Sequence, residues 1–139
     1  MKKFLTVLLT LCIFACAKED PKKEITIQTK DKEVKYNVEI AKTKEELEKG
    51  LMFRETLNTD SGMFFEFEEV NGAVMWMKNT KISLDILFMS PEGKIVCIKE
   101  SATPMSEDFI ICREKVASSL EVNAGEVAKH NIKIGDTVK

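Results

Sequence analysis

The stretch VMWMKNTKISLDILFM, Val74 to Met89, decides how the chain is read. Its second half, Leu84 to Met89, is a run of apolar side chains broken only by Asp85. Alternation puts Leu84, Ile86 and Phe88 on one face of a strand and Asp85, Leu87 and Met89 on the other. Both faces are apolar, so this strand is expected to be central and covered on both sides. A lone ionised carboxylate is costly in such a place, which requires Asp85 to be paired or hydrogen-bonded. Arg54, Lys78 and Lys81 are the available cations, and Arg54 suits a bidentate contact best. The alternative is that Asp85 ties down the loop Asn79 to Ser83 by accepting backbone N–H bonds.

Short strand signals spread outward from this stretch. Ile25, Ile27 and Thr29 alternate with polar residues, the charged turn Lys30 to Glu33 follows, and Val34, Tyr36, Val38 and Ile40 resume the alternation, which predicts a hairpin. Thr43-Lys44-Glu45-Glu46 is a capping box that opens a helix expected from Lys44 to about Met52, burying Leu47 and Leu51. Further strands are expected at Met63–Phe67, Ala73–Lys78, Leu84–Ser90, Lys94–Glu100, Phe109–Ile111 and Val116–Val122. Asn123 reads as the cap of a second short helix with Glu126 at its third position, Asn131 as its left-handed stop, and Thr137–Lys139 as a last strand. The fold class is α+β, mostly β: a compact antiparallel barrel or rolled sheet with two short helices.

The first residues carry a different signal. Met1-Lys2-Lys3 is a positive start, Phe4 to Ala15 is apolar, and Ile13-Phe14-Ala15-Cys16 precedes a polar stretch. The apolar part is shorter than the roughly 20 residues a spanning helix needs and has the layout of a secretory signal. Its end resembles the lipobox of bacterial lipoproteins, so Cys16 is expected to carry a lipid. The domain plan is a signal over 1–15, a lipidated cysteine and tether over 16–23, and one globular domain over 24–139. The expected location is the cell envelope, tied to a bacterial membrane through Cys16.

A net charge of −2 from 21 basic and 23 acidic residues, interspersed along the chain, lacks the clustered basic patch of a nucleic-acid binder. His130 is the single histidine and is expected to face the helix dipole at the end of its short helix. Ser118 and Ser119 lack the setting of a nucleophile, and the glycines are scattered singly, so no phosphate loop exists. No cofactor is called for.

Gly50-Leu51-Met52-Phe53-Arg54, Gly62-Met63-Phe64-Phe65, Trp76-Met77-Lys78-Asn79-Thr80, Leu84-Asp85-Ile86, Leu120-Glu121-Val122 with Ala124-Gly125, and Ile134-Gly135-Asp136 occur in this order. Together they resemble the bacterial and archaeal domain-of-unknown-function-192 family, also called uncharacterised protein family 0127, over about Thr43 to Val138. The family usually has a proline where this chain has Ser83, a change that loosens the loop leading to Asp85. The resemblance implies a fold and an exported context and no agreed activity. Its recurrent polar and aromatic positions fall here on Arg54, Trp76, Lys78, Asn79, Asp85 and Glu121, which are the candidate ligand-binding residues.

Three functions fit these residues. The first is a non-enzymatic, membrane-tethered binding or accessory domain for a small ligand or an envelope protein, with an anionic or carbohydrate-like ligand suiting Trp76 beside Lys78. The second is an enzyme using Asp85 and Glu121 as acid and base, which requires the two carboxyls within about 10 Å across an open cleft. The third is a Cu(I) carrier, which requires sulfurs of Cys97, Met105 and Cys112 to converge. Cys97 and Cys112 are alternatively a disulfide, as an oxidising location favours, or two free buried thiols.

Overall fold

The computed structural model of the protein describes residues 22–139. The expected leader and Cys16 lie outside these residues. Nine elements follow in order: β1 (Lys23–Gln28), β2 (Glu33–Ala41), α1 (Lys44–Lys49), β3 (Ser61–Met75), β4 (Leu84–Met89), β5 (Ile95–Ala102), β6 (Ile110–Asn123), α2 (Glu126–His130) and β7 (Thr137–Val138). The strands form one sheet in the order β5-β4-β6-β3-β2-β1-β7. That sheet rolls until its outer strands approach, with Lys94 bridging Thr137 and Gly135 N donating to Ile95 O at 2.8 Å. Thr26 and Lys139 exchange both backbone hydrogen bonds at 2.9 Å, so the two ends of the domain are stitched together.

The β1/β2 hairpin is as the alternation requires, with Ile27 opposite Val34 and Ile25 opposite Tyr36. All neighbours are antiparallel except β2 and β3, which run parallel in the register Val38–Gly62. A parallel pair needs a crossover, and the segment carrying α1 supplies it. The capping box forms: Glu46 N donates to Thr43 Oγ1, and Glu46 Oε2 accepts from Thr43 N at 3.0 Å. The helix stops at Lys49, earlier than expected, because Gly50 leaves helical geometry with φ of 46°. A Cβ on Gly50 would also lie 3.1 Å from the Phe65 ring, which would have to shift to admit it, so the positive φ and the close ring together favour glycine there.

Two expected pairs of short strands merge. Met63–Phe67 and Ala73–Met75 are parts of β3, which ends before the expected Lys78, while Ile110–Ile111 and Val116–Val122 are parts of β6, with Phe109 just before it. Register shifts between Glu66 and Ala73 bend the β3/β6 ribbon and break the alternation there, so one long strand reads as two.

The strand β4 lies second from the edge of the sheet rather than at its centre, but it is flanked by β5 and β6 and buried at all six positions. Its two faces meet different cores. Leu87 and Met89 pack with Ile25, Ile27, Tyr36, Val38, Leu120 and Val122. Leu84, Ile86 and Phe88 pack with Leu51, Met63, Phe65, Met77, Cys112 and Val116. Gly62 lies where β3 crosses β6, and a Cβ there would fall 2.4 Å from Glu121 O.

The start of α2 departs from expectation. The cap is Gly125, in the left-handed region, and it offers no side-chain bond. Asn123 instead donates to Leu57 O at 3.1 Å and Asn58 O at 3.3 Å, holding the loop before β3. Asn131 closes the helix with φ of 55°.

Candidate functional site

Asp85 is fully buried, and its carboxylate is taken by two backbone donors: Ser101 N to Oδ1 at 2.8 Å and Val127 N to Oδ2 at 2.9 Å. Val127 is in the first turn of α2, so Asp85 is the acceptor that the helix's own glycine cap lacks. It therefore binds neither Arg54 nor the loop Asn79 to Ser83. Arg54 pairs instead with Glu39, through Nη1 at 2.6 Å and Nη2 at 2.5 Å. The hydrogen bonds from Arg54 hold the Glu39 carboxyl below its usual range, against its partial burial. The loop is anchored by Ser83, whose hydroxyl donates to Ala102 O at 3.0 Å and whose carbonyl accepts from Ala124 N at 3.0 Å.

The remaining four candidates line one groove of about 1020 Å³. Its floor is the concave side of the bent ribbon, with Phe65, Ala73, Val116 and Glu121, and α1 with the turn Gly50–Phe53 forms the opposite wall. Trp76, Lys78 and Asn79 stand at one end, just past the last residue of β3. Asn79 has φ of 55°, and its carbonyl accepts from Phe53 N at 2.8 Å, joining the two walls. Lys78 Nζ lies over the Trp76 ring at 4.9 Å from its centroid, and Phe109 stacks against the same ring at 6.2 Å. Both neighbours claim π surface that a sugar ring would need, which removes the basis for a carbohydrate-like ligand at Trp76. Phe53 and Val74 also line the groove and are largely exposed.

Glu121 is the unusual group. It is 5% exposed, and its carboxyl keeps contact with solvent at the groove rather than being sealed in the core. Burial pushes its pKa up to about 8. Its neighbours in register are Met63 on β3 and Ile86 on β4, whereas Asp85 pairs with Val122. Asp85 and Glu121 thus face opposite sides of the sheet, and the acid–base pair has no common cleft.

This carboxyl makes stability depend on pH. The folded state keeps the proton up to about pH 8, while the unfolded chain loses it near the ordinary 4.5. The favourable contribution is complete below the unfolded value and is lost as pH rises through the folded one. Glu121→Gln is expected to flatten that decline and to add about 2 kcal/mol at about pH 8, with no gain at about pH 4. Urea unfolding of both proteins across this span is the check; parallel profiles would show that Glu121 is ionised in the folded state.

Two further groups complete the inventory. Cys97 and Cys112 are joined in a disulfide with Cα atoms 6.0 Å apart. Their thiolates are unavailable to Cu(I), and Met105 is exposed, so the copper reading loses its ligands. Among the described residues no three His, Cys, Asp or Glu side chains are grouped to hold a metal.

On the other face, Tyr36 Oη donates to Glu126 Oε2 at 2.9 Å and Lys129 Nζ to Oε1 at 2.8 Å. Burial opposes the charge on Glu126, and these two bonds outweigh it and hold the carboxyl below its usual range. His130 Nε2 lies 3.2 Å from Glu126 Oε2, so its partner is this carboxylate as well as the helix end. The helical spacing Glu126, Lys129, His130 was the signal for this cluster, and the role first read into Glu126, as the capping glutamate of Asn123, concealed it.

A rolled, seven-stranded β-rich domain with a parallel crossover and a groove under its bent ribbon is the class these features define. Residues 25–139 match the model of the family described as DUF192, Uncharacterized ACR. The chain belongs to that domain-of-unknown-function-192 family. It is similar to the crystal structure of a protein from Sinorhizobium meliloti 1021 described as a proposed transcription regulator. The identity is 38%, the TM-score 0.84, and 88% of this chain and 97% of that chain are covered. It is also similar to a protein of unknown function from Novosphingobium aromaticivorans DSM 12444, at 33% identity and a TM-score of 0.83 over 85% of this chain and 84% of that one. No curated protein matches the sequence.

Proposed function

We propose that this is an exported, lipid-anchored binding domain of the bacterial cell envelope that holds a guest in the groove at Glu121. The observation that carries the reading is the Glu121 carboxyl, nearly buried yet lining an open groove, with its pKa pushed up by burial. A carboxyl so perturbed in a cleft is a functional-site candidate. A guest with a polar end at Glu121 and an apolar body along Phe65 and Val116 fits that lining. The anchor rests on the sequence alone, on the positive start, the short apolar run and Cys16. The transcription-regulator description remains that of the S. meliloti protein: acidic residues outnumber basic ones around this groove, and they would repel phosphates.

One experiment in two parts tests this. Membrane fractionation of the full chain and of its Cys16→Ala variant should find the first with the membrane and the second in the soluble fraction; retention of the variant would end the anchor reading. Residues 22–139 contain all seven strands and both cores, and so fold as a unit. Their mass under native conditions should exceed the denatured mass by that of the guest, and the excess should vanish in Glu121→Leu. An excess that Glu121→Leu retains in full would place the guest elsewhere.

A further inference from the structure

The groove offers more than one carboxyl. Four glutamates line it besides Glu121: Glu45 and Glu48 on α1, and Glu68 and Glu69 on β3. Against them stand Lys44 and Lys49 on α1 and Lys78 beyond β3. Lys78 is already committed to the indole of Trp76, where its ammonium lies 4.9 Å from the ring centroid. The rest of the interior is apolar, with Leu51, Phe65, Phe67, Met75 and Val116 along its length. A nearly buried carboxyl and a rim with more glutamates than lysines around apolar walls are complementary to a cation on a hydrocarbon stem.

Accepting that the groove is the binding site, we propose that its guest is an organic amine, with the ammonium against Glu121 and the alkyl stem along Phe65 and Val116. The ammonium supplies the counter-charge that Glu121 lacks. In a site of low dielectric such a pair is strong only if both members are charged, so binding must remove the proton from Glu121. One proton is released to solvent for each amine bound, and the ammonium keeps its own.

The charge requirement fixes the sign of a pH dependence. Affinity for an ammonium rises with pH until Glu121 is ionised in the free protein. Affinity for a neutral alcohol or a carboxylate falls over the same span, because those guests need the proton that Glu121 holds. The groups facing Glu121 leave the profile clear. Met63 and Ile86 oppose it on β3 and β4 and carry no charge. The other charged groups of the groove are Lys44, Glu45, Glu48 and Lys49 on α1, Glu68 and Glu69 on β3, and Lys78. His130, the chain's single histidine, lies beside Glu126 on α2.

The test titrates residues 22–139 with octylammonium, octanol and octanoate by calorimetry between about pH 6.5 and about pH 8. Octylammonium is expected to bind at least about tenfold more tightly than octanoate at the upper pH, and to gain about tenfold in affinity across the span. Repeating the titration in buffers of different ionisation enthalpy should count close to one proton released. Glu121→Gln should weaken octylammonium by about tenfold and abolish its pH dependence. Octanol or octanoate binding as well as or better than octylammonium, or an ammonium affinity that falls with pH, overturns the amine and leaves the groove as a binding site. Silence from all three at millimolar concentration, together with equal native and denatured masses, overturns the groove itself.

Discussion

Asp85→Ala is expected to cost about 3–5 kcal/mol of folding stability. The carboxylate accepts from Ser101 N and Val127 N, and alanine would leave both donors buried without an acceptor. Both faces of β4 are packed, so water has no route to replace it. The damage should also be directional. Ser101 lies near the end of β5 and Val127 in α2, so the variant would loosen α2 against β4 while the β3/β6 ribbon holds. Denaturant unfolding measures the size, and amide exchange at Val127 and Ser101 measures the direction. Asp85→Asn keeps one acceptor oxygen but turns an N–H toward the second donor, and should recover less than half of the loss. An Asp85→Ala protein within 1 kcal/mol of the parent, or so, would mean that Asp85 is not what holds α2 in place.

Removing the Cys97–Cys112 bond is expected to cost about 3 kcal/mol. The two cysteines are separated by 15 positions, and a cross-link over that distance removes chain entropy from the unfolded state. For a domain of this length the loss corresponds to a fall of roughly 10 °C in Tm. A thermal scan with and without dithiothreitol, repeated on the Cys97→Ala/Cys112→Ala double variant, provides the measurement. Coincident curves would show that the bond contributes no stability. The bond also pins the segment leading to Phe109, which stacks on Trp76, so indole fluorescence should shift on reduction. The single tryptophan makes that signal unambiguous.

Where local rules are sufficient, the elements were legible in the sequence. The β1/β2 hairpin follows from alternation, the start of α1 from its capping box, and the burial of β4 on both faces from its apolar side chains, although β4 lies second from the sheet edge and not at its centre. Each is decided by neighbours in the chain. The failures all needed a distant partner or a broken period. Bulges between Glu66 and Ala73 shift the alternation, so β3 and β6 each read as two strands. Asp85 was recognised as needing partners, but Ser101 and Val127 become neighbours only after the sheet has formed. Glu39 carries no local sign of its partner, because Arg54 arrives from across the crossover. Trp76, Lys78, Asn79 and Glu121 were singled out for their residue type and family pattern, and they line one groove. Alternation alone could not have brought Glu121 to the others, since its place depends on the fold of the ribbon.

The stitched ends of the domain bear on how the molecule comes into being. The β1/β2 hairpin is the first part of the sheet to leave the ribosome, yet the outer edge of β1 gains its neighbour only when Thr137 and Val138 appear. Until then the strand donors and acceptors from Thr26 to Gln28 are open beside the apolar side chain of Ile27, the kind of template onto which another chain can add. Nearly the whole length of the domain must be synthesised before that part of the edge is covered. The interval between the first strand and the last, rather than the finished fold, is when this protein is most exposed to aggregation and most in need of a holdase.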